Sequence, residues 1–371
     1  MTAVAGGLPA MAIASRLEQL RERVAGQELD ALVVSGRANV RYLTGFSGSA
    51  GTLLLLPGGT VLLTDGRYET QAAEQLAASG VDARVEVAPA ARQAQVAAGL
   101  VTPEVGVVGL EAAHVSWATQ QAMAAQWFPD VELVATVGVV EGLRRVKDEG
   151  EIARIARAAT IADEALAALR AELDGAPTER EFALALEVEM SRRGADGPSF
   201  ETIVASGPNS AKPHHRPSNR PIAPGEPVVV DFGAKVDGYC SDMTRTVWVD
   251  ELAPSMRPVL AAVAASQAAG VAAVAAGVEA SAVDRACRRV IGDAGWADRF
   301  VHGTGHGVGL DIHEAPSVAS TSLDTLREGH VVTVEPGVYL PGLGGVRIED
   351  TVVVTEAGCY PLTTAPKDHS D

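Results

Sequence analysis

Four carboxylates and one histidine in the second half of this 371-residue chain restrict how it can fold, because each lies in or beside an apolar or glycine-rich segment. These residues are Asp231, Asp242, His306, Glu335 and Glu349. Burying an ionised carboxylate costs several kcal/mol unless a cation or a hydrogen-bonding partner compensates for it. Divalent metal ions do so, and an oxygen-rich ligand set suits Mn²⁺ and its neighbours. We therefore expect the five side chains to form a two-metal site.

A predicted β-hairpin supplies the first part of this site. Three valines precede Asp231, and Asp237-Gly238 is a strong signal for a tight hairpin turn. With that pair at the turn centre, Asp231 lies opposite Thr244 and Asp242 opposite Gly233, so the two aspartates share one face. A change of one residue in loop length would put them on opposite faces. Two acids near a hairpin are more often surface charges, but the valines indicate burial.

Histidines cluster in a second segment. Glycine alternates with other residues from His302 to Gly309, and His313 follows. Such glycines let a backbone approach a ligand closely, and the spacing does not fit the GxGxxG dinucleotide fingerprint. A single histidine is more often a structural residue of the core, but three within residues 302–313 indicate a site. His214 and His215 end a polar loop that, without context, would be a surface loop.

Two further strand-like segments carry acids. Residues 331–337 deliver Glu335 just before a proline. Residues 344–350 contain Arg347 and Glu349, which share one face of a strand because they are two positions apart. A cation beside a ligating carboxylate would orient that carboxylate. The alternative for this segment alone is an exposed ion pair.

Apolar periodicity predicts two domains separated by a charged junction at residues 143–151. Strands before the junction are predicted at 30–35, 51–56, 59–64 and 105–110, and helices at 16–24, 68–78 and 117–126. This alternation is typical of an α/β domain. After the junction, helices are predicted at 149–173, 179–193 and 256–294, with strands dominating elsewhere from residue 202. Thr178 and Glu181 form a capping-box sequence. The predicted domains are 12–142 and 147–371.

Bulk properties exclude several classes of partner. A net charge of −17 argues against nucleic acid and anionic membranes. The uncharged run at 258–278 is long enough to span a bilayer, but its alanine-rich composition favours a helix of a water-soluble domain. Three cysteines without a CxxC pattern fit a reduced, cytoplasmic protein. The first fifteen residues lack a basic segment, so we expect a loose extension rather than a signal peptide.

These motifs, in this order, resemble the pita-bread metallopeptidase family, which includes methionine aminopeptidase, aminopeptidase P, prolidase and the metal-free creatinase. The resemblance covers the second half of the chain through DFG, YCSDMTRT, HGTGHGVGLDIHE, TVEPG and GGVRIED. It extends to the first half through NVRYLTGFSGSAG and DGRY, which are similar to the creatinase-type N-terminal domain. The implied fold class is α+β, with a C-terminal pita-bread catalytic domain preceded by a smaller α/β N-terminal domain.

The resemblance also implies roles for individual residues. Metal ligands are implied at Asp231, Asp242, His306, Glu335 and Glu349, with Asp242 and Glu349 bridging two ions. Residues that contact the substrate or its transition state are implied at His214, with His215 as the less favoured alternative, and at His302 and His313. Arg347 matches an arginine that supports the ligands. We expect Mn²⁺ first, with Co²⁺ or Zn²⁺ as alternatives.

The expected activity is that of an Xaa-Pro aminopeptidase, which removes the residue preceding proline from the N-terminus of a peptide. Two metal ions lower the pKa of a water between them, and Glu335 would pass its proton to the proline nitrogen. A metal ion and His302 or His313 would stabilise the oxyanion. An Xaa-Pro dipeptidase is the alternative, since no residue decides the substrate length. A creatinase-like hydrolase of a non-peptide C–N bond and a catalytically silent binding module are less favoured, because the ligand set is intact.

The expected partners are peptides with proline at the second position. Relatives with this N-terminal domain are commonly homodimers, so the resemblance implies a homodimer here. Residues 41–46, with the sequence RYLTGF, are predicted to be an exposed loop that reaches the active site of the second copy.

Overall fold

The computed structural model describes residues 7–367, so residues 1–6 of the predicted N-terminal extension lie outside the described part of the chain. Two compact units are present. The first is Met11–Arg144, and the second runs from Arg145 onward and includes a short segment that precedes Met11. Each unit has its own core of buried apolar side chains.

The first unit contains a six-stranded mixed sheet. Its strands are β1 Ala31–Val34, β2 Gly51–Leu56, β3 Gly59–Thr64, β4 Arg84–Val87, β5 Val107–Glu111 and β6 Glu132–Thr136. Its helices are α1 Arg16–Ala25, α2 Arg37–Thr44, α3 Glu69–Ser79, α4 Ala90–Leu100, α5 Trp117–Ala122 and α6 Glu141–Arg144. The strand order is β4-β3-β2-β1-β5-β6, with β2 antiparallel to both its neighbours and the other pairs parallel. The α/β character predicted for this domain is confirmed.

The predicted exposed loop at residues 41–46 is wrong. Its first residues belong to α2, and Tyr42, Leu43 and Phe46 are only 4%, 0% and 1% exposed. Gly45 ends the helix with a φ of 74°, a left-handed conformation that glycine adopts without strain. The aromatic and aliphatic side chains are therefore core residues of this unit.

The second unit contains most of the strands. They are β7 Gly197–Pro198, β8 Ile203–Ser206, β9 Val228–Phe232, β10 Ala234–Val236, β11 Tyr239–Cys240, β12 Met243–Val247, β13 Gly305–Gly307, β14 Glu314–Val318, β15 Val331–Val334, β16 Gly337–Leu340, β17 Gly344–Arg347, β18 Asp350–Thr355 and β19 Gly358–Pro361. They form the sheets β11-β10-β7, β12-β9-β8, β14-β13-β15-β18-β19 and β16-β17. The α-helices among the described residues of this unit are α7 Glu149–Leu169, α8 Glu179–Arg192, α9 Arg257–Ala273 and α10 Ala280–Asp293.

Local sequence signals predicted most helix ends of this unit. The capping box that starts α8 is present, with Thr178 and Glu181 exchanging hydrogen bonds. The single helix predicted at 256–294 is wrong, because the chain leaves α9 after Ala273 and enters α10 at Ala280. Between them, Gly277 has a φ of 84° and donates its backbone N–H to a carbonyl outside the helices. Among residues 7–367, no helix is long and apolar enough to cross a membrane.

The predicted hairpin forms with the predicted register. Asp237 and Gly238 both have positive φ values, 47° and 75°, as a type I′ turn requires. Asp231 lies opposite Thr244 in the pairing of β9 with β12. Along β9, the flanking Val230 and Phe232 pack into the core beneath α7 and α8, whereas Asp231 faces the other way. The alternation of a strand therefore puts an acid on the face opposite the core.

Candidate metal centre and active site

One cavity of about 640 Å³ in the second unit is lined by every residue predicted for the site. Those residues are His214, Asp231, Asp242, His302, His306, His313, Glu335, Arg347 and Glu349. His215 lines the cavity as well. The volume lies within the range of about 300–1,000 Å³ that is usual for small-molecule sites. The fold thus brings together side chains from segments that are far apart in the sequence.

The strand that ends at Val334 and the strand Gly305–Gly307 place Glu335 and His306 side by side. His306 Nε2 lies 3.3 Å from Glu335 Oε1 and 3.6 Å from Asp242 Oδ2. Thr333 contacts both residues. Its hydroxyl accepts a hydrogen bond from the backbone N–H of His306 and donates one to Glu335 Oε1, each at 3.1 Å. Gly305 is required here, because a Cβ at this position would lie 2.0 Å from a backbone carbonyl oxygen of β15.

Arg347 connects the remaining ligand candidates. Its Nη2 donates to Asp231 Oδ2 at 2.6 Å, and its Nε donates to Thr244 Oγ1 at 3.1 Å. The Thr244 hydroxyl donates in turn to Glu349 Oε2 at 2.7 Å. Arg347 is 3% exposed, so the alternative of an exposed ion pair in this segment does not hold. Arg347 therefore contacts the carboxylate of Asp231 directly and that of Glu349 through Thr244, an arrangement that can orient both.

Charge in the cluster is unbalanced. Burial and the neighbouring carboxylates raise the pKa of Asp242 and of Glu349 well above the usual values, and burial raises the pKa of Asp231. Burial alone would also raise the pKa of Glu335, but the hydrogen bond from His306 and nearby positive charges hold it at about 2. Packing so many carboxylates together is unfavourable without a further cation.

Two orphan oxygens test whether a metal fits. Asp231 Oδ1 and Glu349 Oε1 are buried and have no hydrogen-bond partner among residues 7–367. An unsatisfied buried acceptor costs about 1–3 kcal/mol, and more when it is charged. Ligand atoms of Asp242, His306 and Glu349 lie within 4.8 Å of one another, close enough to share an ion. The donors therefore fit divalent cations, which would satisfy both orphan oxygens and offset the negative charge.

The histidines of the cavity are held in different ways. His302 lies between two partners, with Nδ1 at 2.7 Å from the Gly303 carbonyl and Nε2 at 2.8 Å from the Tyr339 hydroxyl. The two contacts assign the proton to Nδ1, so that Nε2 accepts from Tyr339. Burial lowers the pKa of both His302 and His313. His313 packs edge-on against His306, with ring centroids 4.4 Å apart.

The adjacent histidines His214 and His215 have different surroundings in the structure. His215 Nε2 lies 2.8 Å from the buried carboxylate of Glu179, and its side chain is 11% exposed. His214 is exposed on the cavity wall, where its charge would lower the pKa of His302 and of His313. The buried carboxylate thus holds His215, and His214 is the more exposed of the two histidines.

Tyr339 is a site residue that the sequence analysis missed. Its hydroxyl links His302 Nε2 to Arg347 Nη1, the latter at 2.9 Å. The available signal was the hairpin of β16 and β17, in which Tyr339 pairs with Gly345 and lies diagonally from Arg347 on the same face. Pairing these two strands from the sequence would have located it.

A second cluster of possible metal ligands lies in the first unit. It consists of Glu111, His114 and Glu141. The Asn39 side-chain amide occupies its centre, donating to Glu111 Oε1 at 2.6 Å and to Glu141 Oε1 at 2.7 Å. Because a hydrogen-bond donor already joins the two carboxylates, this cluster is a satisfied polar network.

Comparison with known proteins agrees with this geometry. Residues 153–356 match metallopeptidase family M24, and residues 16–146 match the creatinase/prolidase N-terminal domain. The chain belongs to metallopeptidase family M24, a family whose name implies divalent metal ions. The predicted combination of a pita-bread catalytic domain with a creatinase-type N-terminal domain is confirmed.

Individual relatives are similar over nearly the whole chain. An uncharacterised peptidase of Bacillus subtilis is 37% identical, covering 95% of this chain and 99% of the relative. The structure of an Xaa-Pro dipeptidase from Bacillus anthracis matches with a TM-score of 0.90 and 36% identity, over 96% of this chain and 99% of that one. An X-Pro aminopeptidase structure from Thermotoga maritima matches with a TM-score of 0.85 and 34% identity, over 94% and 98% of the two chains.

Proposed function

We propose that this protein is a metal-dependent Xaa-Pro peptidase that holds two divalent ions, with Mn²⁺ preferred. The observation that carries the proposal is the convergence of four carboxylates and His306 on one cavity, with two buried oxygens lacking a partner among residues 7–367. The relatives named Xaa-Pro dipeptidase and X-Pro aminopeptidase support the substrate class. Bound divalent ions supply Lewis-acid chemistry, which acidifies water and polarises a carbonyl group.

The residues of the chain supply the remaining chemistry. Glu335 accepts a proton and delivers it to the proline nitrogen, since its carboxylate lines the cavity beside His306. We assign oxyanion stabilisation to His313 rather than His302, because both ring nitrogens of His302 already have partners in Gly303 and Tyr339. Arg347 and Thr244 keep the carboxylates of Asp231 and Glu349 in place.

Aminopeptidase activity is preferred over dipeptidase activity. An X-Pro aminopeptidase from Thermotoga maritima that is similar over nearly the whole chain supports this preference. Dipeptidase activity is the second candidate, because relatives such as that from Bacillus anthracis are named Xaa-Pro dipeptidases. The test is hydrolysis of Ala-Pro beside Ala-Pro-Ala with added Mn²⁺. Cleavage of both supports the aminopeptidase, whereas cleavage of the dipeptide alone supports the dipeptidase.

Assembly and location remain predictions. The homodimer is tested by light scattering at micromolar concentration, and a strict monomer with full activity would contradict it. A reducing compartment such as the cytoplasm suits the three cysteines, which are all free thiols.

A further inference from the structure

The carboxylate of Glu179, at the start of α8, accepts hydrogen bonds from several groups of one segment, residues 206–218. Glu179 is fully buried. The donors to its two oxygens, most of them at 2.6–3.1 Å, are the backbone N–H groups of Ser206 and Ser218, both of their hydroxyls, the side-chain amide of Asn209 and the imidazole of His215. Together they hold the pKa of Glu179 at about 2, although burial acts to raise it.

A second anchor holds the same segment one residue before His214. Arg347 Nη1 donates to the Pro213 carbonyl at 3.3 Å, and the same guanidinium binds Asp231. His214 is therefore flanked by two held neighbours, with Pro213 tied to the ligand cluster and His215 tied to Glu179.

The start of the segment is seated against β17. The backbone N–H of Gly345 donates to Ser210 Oγ at 2.7 Å. A Cβ at position 345 would lie 2.1 Å from the Ser210 carbonyl oxygen, so only glycine lets the turn at 207–211 approach this closely. The segment thus has defined contacts at its beginning and on both sides of His214.

The His214 ring is exposed on the cavity wall, so its position follows from the backbone that carries it. A buried carboxylate is unfavourable unless hydrogen bonds compensate for it, and at Glu179 the compensation comes from the segment that carries His214. We propose that Glu179 and His215 are positioning residues, which hold His214 where it contacts the substrate. This inference rests on the proposed peptidase function, because it gives His214 a substrate-binding role.

The experiment uses His215→Ala, which removes one anchor and leaves the Glu179 carboxylate its other donors. His215→Gln keeps a side-chain donor and serves as the conservative variant. Arg180→Gln is the matched control, since it changes an exposed side chain next to Glu179 on the same helix. Steady-state kinetics on Ala-Pro-Ala, metal content and amide hydrogen exchange are measured for each variant.

If the proposal is right, His215→Ala lowers kcat/KM by about tenfold to a hundredfold, chiefly through KM, because misplacing a contact group by about 1 Å has effects of this size. Metal content stays unchanged, and exchange rises in residues 206–218 but not in β9 or β12. His215→Gln recovers most of the loss, and Arg180→Gln behaves as the wild type. In a His214→Ala background, His215→Ala has no further effect on kinetics, because the group that it positions is gone.

Unchanged kinetics in His215→Ala would overturn the proposal, as would full additivity with His214→Ala. Glu179→Gln is the second variant, and its loss of kcat/KM should likewise vanish in the His214→Ala background. Failure of the peptidase function itself is recognised separately, since the wild type would then not cleave Ala-Pro-Ala. In that case the rise in amide hydrogen exchange at residues 206–218 of His215→Ala still tests whether His215 anchors the segment. The absence of that rise would overturn the anchoring role.

Discussion

Arg347 donates from Nη2 to Asp231 Oδ2 at 2.6 Å, joining residues that are 116 positions apart in the chain. The same guanidinium reaches Thr244 Oγ1, which donates to Glu349 Oε2. One buried cation therefore orients two carboxylates that face the candidate metal centre. Such supporting groups commonly affect metal affinity or activity about 10–100-fold when they are changed.

Arg347→Lys tests this relationship. Lysine keeps the charge but loses the planar fork, so it cannot bind Asp231, Thr244 and Tyr339 together. We expect kcat/KM and metal affinity to fall about 10–100-fold. Enzyme assays with metal titration monitored by calorimetry check this. Arg180→Lys, at an exposed position, is the control, and wild-type values for Arg347→Lys would contradict the prediction.

Asp242→Asn should lose at least one metal ion and nearly all turnover, because the amide removes a charge that the ions require. Elemental analysis of the purified variant and its kcat measure the two effects. The comparison is Asp350→Asn, since Asp350 lies next to Glu349 but faces Arg245, at 3.0 Å, away from the cavity.

Breaking the buried pair of Asp350 and Arg245 should cost about 3–5 kcal/mol of stability while metal content is kept. We expect this loss of stability without a loss of metal, because Asp350 pairs with Arg245 and is not a predicted ligand. Equal metal loss in Asp242→Asn and Asp350→Asn would show that the site is misplaced.

Removal of metal with a chelator should abolish activity and leave the fold largely intact. The strands of the second unit carry their own apolar cores, so the centre is not needed to hold them together. Circular dichroism before and after chelation, with recovery of activity on adding Mn²⁺, is the measurement. Full activity in a rigorously metal-stripped sample would rule out the two-metal proposal.

Glu179→Gln should show a pH-dependent loss of stability. The pKa of Glu179 is lowered from 4.5 in the unfolded chain to about 2 in the folded protein. The contribution of the Glu179 carboxylate to the free energy of unfolding is therefore fully present above pH 4.5 and is lost as pH falls towards 2. The shift corresponds to on the order of 3 kcal/mol. The difference in melting temperature between wild type and Glu179→Gln should be large at pH 7 and shrink in acid, whereas a difference that grows in acid would contradict the assignment.

Ala-Pro-Ala should be cleaved between Ala and Pro, and Ala-Ala-Ala at least about a hundredfold more slowly. That ratio corresponds to about 2.7 kcal/mol of transition-state discrimination, which a pocket shaped for one ring can provide. N-acetylation of the peptide should slow cleavage sharply, because the free α-amine can meet acidic groups near the metals. Comparable kcat/KM values for the two tripeptides would reduce the assignment to a general metallohydrolase.

Features that depend on neighbours in the chain were predictable from the sequence. The Asp237-Gly238 turn determines its own conformation, and the turn length then sets Asp231 opposite Thr244. The capping box at Thr178 is equally local. The predicted helix that spanned residues 256–294 failed because hydrogen bonds to distant carbonyls, made by Ala276 and Gly277, interrupt it.

The sequence alone predicted which residues form the site. A carboxylate that follows an apolar strand is buried with that strand, and it then needs a cation or a hydrogen-bond donor nearby. Which oxygen accepts from which donor was decided only by the tertiary structure. Glu179 meets His215 across 36 positions, and Arg347 meets Asp231 across 116. Side chains so far apart in sequence are brought together by the packing of whole sheets and helices, and no local sequence pattern predicts such a contact.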